Sequence, residues 1–134
     1  MLKSGCIHPG IMSALSLCGH GDKILIADGN YPLNAKSGDA AKVYLGLTEG
    51  IPTVTDVLRT LLDCVNIEKA EVMLSDGEEP EIFGEFRTLL NGMELDGIDR
   101  FGFYDACEQP CVRLAIYTGE KRTFANILIT VGVA

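Results

Sequence analysis

The stretch LCGHGDKILIADGNYP, Leu17–Pro32, decides how the rest of the chain is read. Its centre, Lys23–Ala27 (KILIA), is a short apolar run between polar residues. The run is too short for a stable helix and is rich in isoleucine, which packs well on a pleated surface, so it reads as a buried strand. Asp28 closes that strand, and Gly29-Asn30-Tyr31-Pro32 after it has the composition of a turn. In front stands His20, between Gly19 and Gly21 and eight residues before Asp28.

Upstream, Pro9 to Leu17 carries apolar residues at 11, 14, 15 and 17, a short helix with Pro in its first turn and Gly19 as its C′ glycine. Downstream, residues 29–42 are rich in Gly, Asn, Pro and Ser and read as a loop, and Val43–Leu47 as a second strand. Pro52–Val65 is the clearest helix. Val54, Val57, Leu58, Leu61, Leu62 and Val65 fall on one face, and Thr53 with Asp56 forms a capping pair. A strand over Ala70–Leu74 follows, then a helix over Pro80–Asn91 with acidic residues in its first turn and Gly92 at its end. Ile98–Phe101 reads as a strand and Phe103–Glu108 as a short helix ended by Pro110. Val112–Thr118 and Asn126–Val133 complete the set as strands. Strands alternating with helices predict an α/β fold: a single domain over residues 1–134, three-layer α/β/α, with a mixed or mainly parallel sheet.

The composition is that of an ordinary globule, 47% apolar and 22% charged over 134 residues. A net charge of −8 with scattered basic residues disfavours binding to nucleic acid or to an anionic membrane. No 18-residue apolar run and no signal peptide is found near Met1, so the expected location is the cytoplasm. Five cysteines, an odd number, fit reduced thiols. The glycine-rich dinucleotide and P-loop turns, the GxSxG elbow and HExxH are all missing.

Chemistry must therefore rest on a few scattered groups. Flanking glycines leave room to present His20 to a small ligand, and an imidazole can give and take protons near neutrality. Asp28 stands beyond the carboxyl end of a strand, where α/β sheets bind ligands. The plainer alternative makes His20 a helix-end residue favoured by the dipole and Asp28 a turn former. Cys6-x-His8 and Cys18-x-His20 supply enough ligands for tetrahedral zinc, but at a spacing unlike that of a zinc finger, and no metal is expected. Cys107 and Cys111 lie four apart with Pro110 between them, which argues against a redox pair. DRFGFYD (99–105) offers the donor fork of Arg100 and the phenol of Tyr104. Asn126 is either a strand-start residue or a ligand contact.

Taken together, GHGDKILIAD (19–28), the NYP turn (30–32), LTEGIP (47–52), RFGFY (100–104) and TGEKRTFANILITVGV (118–133) resemble the ribose pyranase and L-fucose mutarotase family. The resemblance implies a catalyst of sugar anomer or pyran–furan interconversion that needs no cofactor. It gives His20 the acid/base role and makes Asp28 a contact to sugar hydroxyls. A tyrosine-small-Asn motif of the family falls on Phe124-Ala125-Asn126, so Asn126 carries over and the phenol is absent at Phe124. Arg100 followed by an aromatic run is similar to the fucose branch and adds Tyr104 to the site. LTEGIPTVTDVL is closer to the ribose branch. The expectation that results is an L-fucose mutarotase. D-ribose pyranase and a non-catalytic sugar-binding accessory protein are the alternatives. The family also implies a monosaccharide partner and a homo-oligomer, in many members a decameric ring with its sites near subunit contacts.

Overall fold

The computed structural model describes residues 1–134. Its elements in chain order are α1 (Pro9–Leu17), β1 (Lys23–Ala27), β2 (Ala41–Tyr44), α2 (Val54–Leu62), β3 (Ile67–Met73), α3 (Ile82–Leu89), β4 (Leu95–Ile98), α4 (Arg100–Cys107), β5 (Val112–Tyr117) and β6 (Ile127–Val131). The six strands form one sheet in the order β2-β5-β1-β6-β3-β4. β1 runs parallel to β5, β5 to β2, and β3 to β4, while β6 runs antiparallel to both β1 and β3. Five strands thus point one way, and only β6 is reversed. Their carboxyl ends share one rim of the sheet, and β6 begins at that same rim.

Side chains alternate across the sheet and divide the core in two. Ile24 and Ile26 of β1, Leu114 and Ile116 of β5, and Ile127 and Ile129 of β6 pack under α1, α2 and α3. Leu25, Ala27, Ala115 and Leu128 face the other way, onto Phe103 and Cys107 of α4. The second face has only one helix. Tyr31, Leu33 and Ala40, from the loop between β1 and β2, fill the place of another and are all at least 95% buried. The architecture is the expected α/β/α, with a folded loop completing one layer.

β1 and α1 keep the bounds expected of them. α2 has the capping box expected at Thr53: the hydroxyl accepts the Asp56 N–H at 3.1 Å, and the Asp56 carboxylate accepts the Thr53 N–H at 2.9 Å. Gly92 ends α3 as expected, with φ +81 and its N–H on the Arg87 carbonyl. Three expectations are corrected. The second strand is Ala41–Tyr44, not Val43–Leu47: its pairing with β5 ends at Tyr44–Tyr117, and beyond it Gly46 lies against the Tyr117 ring. The fourth strand ends at Ile98, and the helix after it begins at Arg100, with Asp99 extended at its N-cap. α1 ends on Cys18 in extended conformation, and the left-handed glycine of this hinge is Gly21, at φ +89, rather than Gly19.

Candidate active site

A cleft of about 190 Å³ opens at the carboxyl rim of the sheet. It is lined by Asp28, Asn30, Tyr31, Met73, Arg100, Tyr104, Thr123, Phe124 and Asn126. Five of the six residues singled out from the sequence meet here: Asp28, Arg100, Tyr104, Phe124 and Asn126. The cleft is smaller than the several hundred Å³ of a drug-sized site, and it suits a small polar ligand.

Asp28 is the floor of the cleft, 1% exposed. One carboxylate oxygen accepts the Asn30 N–H at 2.8 Å, and the other accepts the Ala125 N–H at 3.1 Å. Its own N–H donates to Asn126 Oδ1 at 2.8 Å. Burial pushes the Asp28 carboxyl above its usual range. The main-chain donors pull it down and the nearby Glu120 charge adds to the rise. Asn126, 3% exposed at the foot of β6, uses its amide oxygen on Asp28, which leaves the amide NH₂ as a donor toward the cleft.

α4 brings the cationic and phenolic groups. Arg100 and Tyr104 are one turn apart, so they share a helix face. Arg100 Nε donates to Tyr104 Oη at 3.2 Å, with the guanidinium 5.7 Å from the ring centroid. Tyr31 meets Tyr104 edge-on at 5.5 Å, and its hydroxyl is anchored on the Lys36 carbonyl at 2.7 Å. Burial pushes the Tyr31 phenol up, so it stays a neutral wall.

Phe124 lies in the turn before β6 at φ +56, a left-handed conformation that a bulky side chain rarely adopts. The turn is bent so that Phe124 borders the cleft while the next N–H reaches Asp28. Such an outlier marks a place where the surroundings over-determine the backbone.

His20 lies elsewhere. It precedes β1, whereas Asp28 follows it, and the five residues of β1 alone put about 13 Å between the two ends. His20 is 58% exposed, with Nε2 at 3.0 Å from both carboxylate oxygens of Glu68, at the start of β3. The carboxylate orients the ring. Within one chain, His20 and the cleft occupy opposite rims of the sheet.

The residues weighed as metal ligands also separate. His8 Nδ1 accepts the Ile11 N–H at 3.2 Å as the N-cap of α1, and Cys18 Sγ donates to the Ala14 carbonyl. No group of three or more His, Cys, Asp or Glu side chains is placed to hold a metal ion. All five cysteines are free thiols, and burial pushes the Cys107 thiol up to about 12, which makes it an inert core residue. No helix is long and apolar enough to cross a membrane.

The cleft also contains residues that the sequence did not mark as functional: Asn30, Tyr31, Met73 and Thr123. The NYP turn was visible as a turn, and Tyr31 within it was the available signal. Met73 gave none, because a methionine ending an apolar strand looks like any core residue.

The profile of the RbsD / FucU transport protein family matches residues 1–134. A D-ribose pyranase of Geobacillus kaustophilus is 29% identical over 136 residues, spanning 100% of this chain and 96% of that protein. A D-ribose pyranase of Clostridium botulinum is also 29% identical, over 99% of this chain and 98% of its own length. Bacillus subtilis RbsD complexed with D-ribose superposes with a TM-score of 0.88 at 25% identity, covering 100% of this chain and 99% of that one. The fucose mutarotase of Streptococcus pneumoniae in complex with L-fucose shares the fold, with a TM-score of 0.84 at 23% identity over 100% and 99% of the two chains. With a profile match from the first residue to the last and a shared six-stranded architecture, the chain belongs to the RbsD / FucU transport protein family.

Proposed function

We propose that the protein is a cofactor-independent monosaccharide mutarotase acting on L-fucose in the cytoplasm. The observation that carries this reading is the convergence of Asp28, Arg100, Tyr104 and Asn126 on one small cleft. A carboxylate acceptor, a guanidinium fork, a phenol and an amide NH₂ are the complement that a ring of sugar hydroxyls needs. Met73 and Phe124 give the cleft an apolar wall, which suits the methyl group of a 6-deoxyhexose. Free thiols throughout the chain support a reducing compartment.

Mutarotation opens and recloses the hemiacetal. A base takes the proton of the anomeric hydroxyl, the bond between C1 and the ring oxygen breaks, and an acid protonates that oxygen. The aldehyde rotates, and the reverse steps close the other anomer with no net gain or loss of protons. Orientation and one poised acid/base group are sufficient help for a reaction that proceeds unaided in water. His20 is that group. Because the cleft of its own chain is out of reach, the imidazole comes from a second copy of the chain, laid amino rim to carboxyl rim. Tyr104 serves as the second proton relay or as a stacking face. Asp28, Arg100 and Asn126 grip hydroxyls, with the Phe124 ring beside them.

Exposed apolar residues at both rims support the head-to-tail arrangement. Leu17 and Val133 flank the His20 end at 82% and 67% exposure, and Leu47 and Ile51 stand beyond β2 at the other end at 80% and 53%. Heterologous contacts of this kind close into a ring when the rotation between copies closes, and a decamer is one such assembly.

D-ribose is the second reading, favoured by the D-ribose pyranases among the relatives. Exchange spectroscopy on the anomeric protons of L-fucose and D-ribose, with and without protein, decides between them. Faster exchange of fucose anomers is the expected result. Acceleration of ribose alone moves the protein to the pyranase reading. Binding of either sugar without acceleration overturns catalysis in favour of a sugar-binding accessory role.

A further inference from the structure

Glu120 is a carboxylate in a loop, yet it is only 2% exposed. Its oxygens accept Nε and Nη2 of Arg122 at 2.9 and 3.1 Å, and the Arg122 main-chain N–H at 3.3 Å. The N–H of Val54, the first residue of α2, also faces this carboxylate, and the helix dipole there favours an anion. Burial alone would raise the Glu120 carboxyl. The Arg122 guanidinium and these N–H groups outweigh it and hold Glu120 below the usual range, so it stays ionised. Arg122 in turn reaches Glu85 on α3.

The main chain of this residue is tied as firmly. Its carbonyl accepts the N–H of Gly29, next to Asp28, at 2.8 Å. Its N–H lies 3.2 Å from the Thr118 hydroxyl, which donates to the Ala27 carbonyl on the other side of Asp28 at 2.8 Å. Two residues past Arg122 the chain takes the left-handed turn at Phe124 and delivers the Ala125 N–H to Asp28. Both main-chain segments that hold Asp28 therefore meet at Glu120, one tied to its main chain and the other to the Arg122 that its buried carboxylate holds.

We propose that Glu120, locked by Arg122, is the positioning residue of the cleft: it fixes the two segments that hold Asp28 and keeps a second negative charge beside it. This rests on the sugar-cleft reading of Asp28 above. Neither residue touches the cleft, since neither is among its lining side chains. The groups that face Asp28 are Glu120 from the β5–β6 connection, Tyr31 from the loop after β1, and Arg100 and Tyr104 from α4. Of these, Glu120 is the one whose negative charge raises the Asp28 carboxyl.

The test uses two readouts on the full-length protein. One is the titration of the Asp28 carboxyl, followed by carbon NMR without sugar. The other is KM and kcat for anomer exchange. In Glu120→Gln the Asp28 midpoint falls and KM rises about tenfold, the scale of one misplaced hydrogen bond to a charged group, while kcat falls less. Lys121→Ala, which removes only the exposed ion pair to Glu49, leaves both at wild-type values. A folded Glu120→Gln protein with the wild-type midpoint and KM overturns the proposal. Should Glu120→Gln not fold, Arg122→Lys and Arg122→Gln decide: a raised KM in the Gln variant, partly restored in the Lys variant, supports it, and a wild-type KM in Arg122→Gln overturns it. Wild-type protein that exchanges no sugar refutes the mutarotase reading alone, because the Asp28 titration still tests the pair.

Discussion

Asp28 carries a cost that is visible in the pH dependence of stability. Burial raises its carboxyl in the folded chain above the value of an unfolded aspartate, so the folded state holds the proton more tightly. The stabilisation from this group is complete below about pH 4, the unfolded value, and is lost as pH rises through the raised folded value. In Asp28→Asn that loss is absent. Urea unfolding at a series of pH values is expected to show wild-type stability declining relative to the variant across this window, with the variant also losing sugar binding. A wild-type curve parallel to that of the variant would contradict the raised carboxyl. Phe124 makes the second prediction at this scale. Phe124→Tyr adds a phenol at the rim of the cleft and is expected to lower KM by a few-fold, the worth of one neutral hydrogen bond. Saturation of the exchange rate with sugar measures it. His20 and Asp28 were legible as special residues because glycines and a strand end single them out. Their separation was not part of that expectation, which put both at one site; the strand between them holds them at opposite ends.

Local chemistry explains which elements could be foreseen. α2 is written in its own sequence, with a capping box at one end and Val54, Val57, Leu58 and Leu61 buried along one face. Thr53→Ala removes the hydroxyl that accepts the Asp56 N–H and is expected to cost about 1 kcal/mol. Thermal unfolding reads this as a fall of a few degrees, and an unchanged Tm would mean that tertiary contacts alone hold the start of the helix. The boundary between β4 and α4 was not legible in this way. Ile98–Phe101 has strand-like residues, but Phe101 is 70% exposed while Phe103 is fully buried, a pattern set by the neighbouring sheet rather than by local propensity. That boundary matters for the site, because starting the helix at Arg100 is what brings Tyr104 beside it. Nor was the Glu120–Arg122 pair apparent: in sequence, EKR looks like a solvated charge run, whereas Glu120 is buried and Arg122 pairs with it and with Glu85 of α3, distant in the chain.

At the scale of the whole molecule, the sheet puts His20 on one rim and the cleft on the other, and under the proposed function a head-to-tail assembly reunites them. Co-refolding two inactive variants tests this directly. His20→Ala keeps an intact cleft and lacks the imidazole; Asp28→Asn keeps the imidazole and lacks the cleft acceptor. If each site takes His20 from one copy and Asp28 from its neighbour, a random equal mixture contains intact pairs at about one site in four, the product of two even chances in a heterologous interface. Anomer exchange is expected to recover to about a quarter of wild type in the mixture, whereas either variant alone shows none. If both residues act within one chain, no mixture can contain an intact site, and activity stays at the level of the single variants. Size-exclusion chromatography of the mixture guards the result: recovery must come with the wild-type assembly. Inactive mixed assemblies of wild-type size would refute the shared site even if the fold, the cleft and the sugar all stand.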